Sequence, residues 1–134
     1  MQITQIPGKM VETWNDEVKA VVDTWTSYGV KLDEFKEAVL GKGLAHSKLH
    51  QGRAWIVDSS KAVGSFSSEI QDFIGTEVFK SFAKGGVKYF ITITSASAVT
   101  KLTIRSYSAK VGPSGIQLVE VASVEDAVDW LKVH

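Results

Sequence analysis

The stretch that decides the fold is AWIVDSSKAVGSFSSEIQDFI, residues 54–74. It opens with four apolar residues, 54–57, that lack polar alternation and are typical of a β-strand buried on both faces. A polar loop follows, and after it Ile70, Phe73 and Ile74 recur at the spacing of a helical face. This order predicts the first half of a parallel crossover, in which a buried strand leads into a covering helix.

The same unit recurs in the second half of the chain. Residues 87–93 (VKYFITI) and 116–121 (IQLVEV) predict two further strands, and residues 98–111 between them predict a helix. A last helix begins at Ser123, the first residue of a Ser-x-x-Asp pattern close to a capping box. Alternating strands and helices predict parallel, right-handed connections.

The predicted helix at residues 98–111 carries apolar residues at helical spacing. Its side toward the sheet is expected to contain Val99, Leu102 and either Thr103 or Ile104. This expectation assigns the most apolar positions of the helix to the core.

The N-terminal part predicts antiparallel pairing. Residues 10–25 (MVETWNDEVKAVVDTW) contain two β-prone runs separated by a polar turn, which indicates a hairpin, and residues 3–6 are a candidate edge strand. Residues 32–50 then predict a helix. The whole chain, residues 1–134, is expected to form one α/β domain. We expect a mixed four- to five-stranded sheet with an N-terminal hairpin, a parallel βαβαβα C-terminal half and about four helices.

Composition excludes several classes of function. Fifteen basic residues balance fifteen acidic ones, so nucleic acid is not an expected partner. The chain contains no Cys, which excludes disulfides and Cys nucleophiles and agrees with a reducing compartment. Neither a signal peptide nor a transmembrane run of roughly 18 apolar residues is evident, and a cytoplasmic location is expected.

Hydroxyl groups cluster where the predicted parallel strands end. Ligands of open parallel sheets bind outside the carboxyl ends of the strands, where helices begin. The candidate binding or regulatory residues at these ends and on the second helix are Asp58, Ser59, Ser65, Phe66, Ser67, Ser68, Phe73, Ser95 and Ser97. Two interpretations remain open: the serines bind an anion or accept a phosphate, or they serve as loop and helix-capping residues. Asp58 either orients a ligand or forms a turn with its own backbone.

Catalytic and metal motifs are weak in this sequence. His46 and His50 are four residues apart on a predicted helix, but no third ligand accompanies them, so no metal site is expected. No GxGxxG, P-loop or GxSxG pattern occurs, and no cofactor is expected. The chain is therefore predicted not to be an enzyme.

A family resemblance adds to this interpretation. WIVDSSKAVGSFSSEIQDFI, residues 55–74, resembles the central strand, loop and helix of STAS domains, the fold of bacterial anti-sigma-factor antagonists. The closing stretch, which ends in SVEDAVDWL, is similar to their last elements, and the whole chain looks like the SpoIIAA-like, or STAS/SEC14-like, group. By position, Asp58 matches the Asp at the end of the family's central strand, and Ser68 matches its phosphorylated serine. Phe66 and Glu69 depart from the pattern, and Glu69 would repel a phosphate on Ser68.

The resemblance implies a non-enzymatic regulatory module that binds a protein partner. The alternative, implied by SpoIIAA-like relatives, is a protein that binds a small apolar ligand or a lipid and associates peripherally with membranes. Phe73, Phe79 and Phe82 make the second helix more apolar than one narrow stripe requires, so some of these side chains are expected to line a pocket or to face outward. The other interpretation of this surplus is burial on two sides, by a neighbouring element or by the second copy in a homodimer.

Overall fold

The fold is described from a computed structural model that covers residues 1–134, with the side chain of Pro113 left out of the description. Six strands form one sheet in the order β1-β2-β3-β4-β5-β6, the order in which they occur along the chain. The strands are β1 Gln2–Ile6, β2 Met10–Asn15, β3 Ala20–Trp25, β4 Ala54–Asp58, β5 Tyr89–Ile93 and β6 Gln117–Val121. Strands β1 to β3 pair antiparallel, and β3 to β6 pair parallel.

Four helices accompany the sheet. Helix α1 covers residues 32–49 as an α-helical turn Leu32–Lys36, a π-helical segment Glu37–Leu44 and an α-helical segment Ala45–Leu49. Helix α2 covers residues 68–84 in the same manner, as Ser68–Phe73, a π-helical segment Ile74–Val78 and Phe79–Lys84. Helices α3, Ala98–Ser108, and α4, Val124–Lys132, are α-helical throughout, and a short 3₁₀ helix, Gly112–Ser114, precedes β6.

The two faces of the sheet are covered unequally. Alternate residues of β4 point to opposite faces, so Trp55 joins the core beneath α1, α2 and α3, whereas Ile56 joins a smaller core beneath α4. Ala127 and Leu131 are the buried residues of α4. The larger core, between the sheet and three helices, contains most of the aromatic side chains.

The α/β class and the hairpin followed by parallel crossovers agree with the sequence, but the strand number does not. The sheet has six strands rather than the four or five expected. The difference arises at the N-terminal edge, where residues 2–6 pair with β2, with a shift of register between Gln2 and Thr4, although their polar and apolar residues are mixed. Half-buried edge strands carry a weak apolar signal, which explains the undercount.

The predicted orientation of α3 is wrong in part. Val99 and Leu102 are exposed, whereas Thr100, Ile104 and Tyr107 are buried. The buried positions are spaced by four and three residues and define the face that contacts the sheet, and Val99 and Leu102 lie outside that face. The described residues contain no helix that is both long and apolar enough to span a bilayer.

Candidate functional site

The parallel strands end together at one edge of the sheet. Asp58, the last residue of β4, pairs with Ile93, and Ile93 pairs with Val121 at the end of β6. Thr94 and Ala122 follow directly, so the hydroxyl-bearing loops that leave these strands start from a common edge.

Asp58 forms a turn. Its Oδ1 accepts a hydrogen bond from the backbone N–H of Ser60 at 3.0 Å, the arrangement of an Asx turn. The side chain is half-buried at the start of the loop that joins β4 to α2. Of the two roles left open for Asp58, the geometry shows the local one.

Ser59 belongs to a buried chain of hydroxyl groups. Its Oγ hydrogen-bonds to the Tyr28 hydroxyl, which lies 3.3 Å from the Tyr107 hydroxyl. Burial raises the pKa of Tyr28 to about 12, and burial also raises the pKa of Tyr107 well above its usual value. Both phenols are therefore neutral at physiological pH and act as structural hydrogen-bonding groups rather than as bases.

Phe66 is part of the core. Its ring stacks on Tyr28 with centroids 4.1 Å apart and an interplanar angle of 2°, and it contacts Trp25 and Phe35 edge to face. The loop that carries Phe66 thus folds back over the end of the sheet. A side chain held in this way anchors the loop and is not accessible to a partner.

Three candidate serines form local hydrogen bonds with the backbone: two cap helices and one joins two loops. Ser67 Oγ accepts the Ile70 N–H at 3.2 Å and caps α2, and Ser97 Oγ accepts the Thr100 N–H at 3.4 Å and caps α3. The buried Ser95 hydroxyl donates to the Ala62 carbonyl at 2.8 Å. These hydroxyls satisfy backbone groups that helix starts and loops leave unpaired.

Ser65 and Ser68 remain exposed, and exposed apolar residues occur in the same loop and in the first turns of α3. Thr100 Oγ1 donates to the Gly64 carbonyl at 2.7 Å and joins the loop to the first turn of α3. Val63 and Val99, which precede Gly64 and Thr100 in the chain, are both exposed, and Leu102 is exposed one helical turn further along α3. We call Val63, Ser65, Ser68, Val99 and Leu102 the loop surface.

Phe73 lies at the edge of the core. It is half-buried, its ring contacts Phe35 edge to face at 6.3 Å, and Lys36 Nζ lies 4.9 Å from the ring centroid. The other two aromatic residues of α2, Phe79 and Phe82, are buried and line an internal cavity of about 30 Å³. Most of the surplus apolar residues of α2 are thus buried by neighbouring elements, as one interpretation expects, and Phe79 and Phe82 also border a small cavity that Phe73 does not line.

Sequence reasoning missed a buried pair of carboxyl groups. Glu12 on β2 and Asp23 on β3 are directly opposite in the antiparallel register, and both are buried. The sequence contains a signal for this pair. Glu12 is two positions from the core residue Trp14, and Asp23 is two positions from the core residue Val21, so both carboxyl groups lie on the core face of their strands. Carboxyl groups in strands usually face solvent, so the pattern by itself does not reveal a buried pair.

His46 and His50 lie at the end of α1, close to the residues at which β4 begins, whereas the loop surface follows the other end of β4. Their rings are 4.3 Å apart, and both contact Trp14. Burial lowers the pKa of His46, which favours the neutral ring. Among the described residues, no group of three or more His, Cys, Asp or Glu side chains is arranged to hold a metal ion.

Comparison with known proteins gives no family: no family model matches the chain, and neither the curated proteins nor the solved structures contain a match.

Proposed function

We propose that this protein is a non-enzymatic regulatory module that binds a protein partner through the loop surface. The observation that carries the proposal is the exposure of three apolar side chains in two segments that the Thr100–Gly64 hydrogen bond joins: Val63 is 58% exposed, Val99 55% and Leu102 65%. The proposal includes the STAS-like ancestry that the residues near Asp58 suggest and a cytoplasmic location, which the absence of Cys supports.

The physical argument rests on the apolar area left in water. Burial of apolar surface contributes about 25 cal/mol per Å², so a partner that covers three branched side chains gains several kilocalories per mole before the costs of association. Ser65 and Ser68 are exposed and add hydrogen-bonding groups to the loop surface, as interfaces commonly have. A surface of exposed apolar and hydroxyl groups favours protein binding over catalysis.

The arrangement of hydroxyl groups supports the non-enzymatic part of the proposal. Ser67, Ser95 and Ser97 are engaged with backbone groups. A serine nucleophile needs an adjacent base, and His46 and His50 lie on the last turns of α1, which leads into the opposite end of β4.

Ser68 is the proposed regulatory position within the loop surface. It is exposed and is the first residue of α2. A phosphate at this position would add negative charge to the loop surface, and Glu69 raises the local negative charge further. Phosphorylation is therefore expected to weaken docking of an apolar partner.

Affinity capture from cell extract, with quantitative mass spectrometry, tests the proposal. A variant that combines Val63→Ser, Val99→Ser and Leu102→Ser removes the apolar centre, and Leu49→Ser is the matched control, because Leu49 is 78% exposed at the end of α1. We expect the wild type and the control to retain the same protein and the triple variant to lose at least about tenfold of it. Equal capture by all three, or no specific capture by the wild type, contradicts the proposal.

A second candidate function is the binding of a small apolar molecule or a lipid. The observation that favours it is a groove of about 650 Å³ beside α2, lined by the apolar residues Phe79 and Ala83 and by the lysines Lys80, Lys84 and Lys110. Native mass spectrometry of freshly purified protein, together with sedimentation with phosphatidylcholine vesicles, tests it. A retained apolar ligand or vesicle binding supports this candidate, whereas a clean apo mass and no binding to vesicles contradict it.

A further inference from the structure

A groove lies between α2 and the segment that follows α3. Helix α2 provides one wall, from residue 75 to residue 84, and Ala109, Lys110 and Ser114 provide the other. Its volume is about 650 Å³, within the range of about 300 to 1,000 Å³ that is usual for sites of small organic ligands. The groove is therefore large enough for an organic molecule, unlike the internal cavity of about 30 Å³.

The ionisable side chains among the described lining residues of the groove are all lysines. They are Lys80, Lys84 and Lys110, and none of the three forms a salt bridge within the part of the chain that the structure describes. Lys80 and Lys84 are four residues apart on α2, a spacing at which like charges repel each other. Because the chain as a whole carries no net charge, the groove holds a local surplus of positive charge, which favours an anionic ligand.

Lys110 is held in place across α2. Its Nζ donates to the carbonyl oxygen of Gln71 at 3.2 Å, and its half-buried side chain passes over Gly75, where a Cβ would overlap it. An ammonium group has three N–H donors, so two remain for a ligand. Gly75 lies in the π-helical segment of α2, and such segments frequently occur at functional sites. The fold therefore positions one of the three lysines before any ligand binds.

The groove also has an apolar part. Phe79 and Ala83 of α2 and Ala109 of the opposite wall line it. The lysines add apolar surface, because the methylene stem of a lysine can lie along the protein while its ammonium group stays in water. A ligand with both a charged and an apolar part matches this composition better than a bare inorganic anion does.

We propose that the groove binds a free anionic amphiphile, with a carboxylate or phosphate headgroup among the lysines and an apolar part against Phe79 and Ala83. This inference rests on the second candidate function and narrows it to one ligand class. An anionic headgroup accepts charge-assisted hydrogen bonds from the ammonium groups and relieves their mutual repulsion. A neutral headgroup leaves that repulsion in place, and a cationic headgroup is repelled.

Three probes that share one alkyl chain test the inference: decyl phosphate, decanol and decyltrimethylammonium, which are anionic, neutral and cationic at pH 7. Calorimetric titration of the wild-type protein, below the concentrations at which the probes form micelles, gives the affinities. We expect decyl phosphate to bind at least about tenfold more tightly than decanol, because several charge-assisted hydrogen bonds form only with the anion. Decyltrimethylammonium is expected not to bind, and a high NaCl concentration is expected to weaken the preference for the phosphate, because salt screens exposed charges.

Two variants and one control locate the preference. The double variant Lys80→Gln with Lys84→Gln is expected to reduce the preference for decyl phosphate over decanol to about twofold or less, and Lys110→Gln alone to reduce it at least about threefold. Lys61→Gln removes the same charge at an exposed position of the loop after β4 and is expected to leave the preference unchanged. An equal loss of preference in the control and in the groove variants overturns the inference.

The failure of the inference is distinct from the failure of the second candidate function. Equal affinity for decyl phosphate and decanol overturns the inference and leaves apolar binding intact. Sedimentation with vesicles of phosphatidylcholine and phosphatidylglycerol separates a free amphiphile from a membrane lipid, and binding to these vesicles without binding of decyl phosphate overturns the inference. The absence of any lipid or apolar ligand in native mass spectra, together with no binding to vesicles, is the separate failure of that candidate.

Discussion

Replacement of Glu12 by Gln removes an ionisable group from the buried pair with little change of shape. In the wild type, burial and Asp23 raise the folded-state pKa of Glu12, whereas Glu in the unfolded chain keeps its ordinary pKa of about 4.3. Between these two pKa values the folded state binds one more proton than the unfolded state. A rise in pH then favours unfolding, so the stabilising contribution of the protonated group is complete below the unfolded-state pKa and disappears as pH rises through the folded-state pKa.

The slope of the free energy of unfolding against pH follows from the one additional proton that the folded state binds. The free energy of unfolding of the wild type should fall by about 1.4 kcal/mol for each pH unit across this window, and the raised pKa of Asp23 acts in the same direction. Urea denaturation monitored by Trp fluorescence at pH 4.5 to 7.5 measures this slope. Glu12→Gln should flatten it and be the more stable protein at the upper end of the range. Parallel profiles for the wild type and Glu12→Gln, with Glu77→Gln as the exposed control, would refute the reasoning.

Three further predictions concern stability and use the same denaturation assay. Phe66→Ala should cost about 3 to 5 kcal/mol, because it empties a stacked, buried site; a loss below 1 kcal/mol would show that the ring is not part of the core. Ser67→Ala should cost about 1 kcal/mol through loss of the α2 cap, whereas Ser65→Ala should stay within about 0.5 kcal/mol, and equal effects would count against the cap. Gly43→Ala should cost about 1 to 3 kcal/mol because its Cβ overlaps the Glu12 carboxyl group, whereas Gly41→Ala, with its nearest neighbour at 3.8 Å, should be neutral or stabilising, and the reverse order would contradict the packing described.

Strong periodic signals account for the parts of the fold that the sequence predicts. The apolar run at residues 54–57 places β4 within a residue of its observed bounds, and the helical spacing of Ile70, Phe73 and Ile74 falls within α2. A strand that is buried on both faces must be apolar at nearly every position, so the sequence alone is enough to recognise β4. The edge strand β1 lacks that constraint, and its pairing with β2 depends on contacts that no local pattern encodes.

The candidate site is predicted less completely, because hydroxyl groups have more than one use. Asp58 and the serines lie near the ends of the strands as expected, yet a sequence does not distinguish a serine that caps a helix from one that faces a ligand. The sequence makes Phe66 a candidate binding residue within a polar loop, and only the three-dimensional fold shows that its ring stacks on Tyr28 in the core.

Tertiary context also hides the carboxyl pair and the irregular helices. Glu12 meets Asp23 only once the register of the hairpin is fixed. A π-helical segment interrupts the α-helical hydrogen-bonding pattern only locally. The apolar spacing of α1 and α2 therefore predicts helices but does not predict the π-helical segments that cover the cavity.

Site-specific photocrosslinking in living cells tests the central claim, that the loop surface binds a protein. Val99 and, as the control, Leu49 are each replaced by a photoreactive benzoylphenylalanine, since both side chains are exposed and lie on different parts of the molecule. Irradiation is predicted to crosslink position 99 to a single partner protein. Position 49 is predicted not to crosslink to that partner. Crosslinks of equal yield from both positions, or none from position 99, would contradict the account.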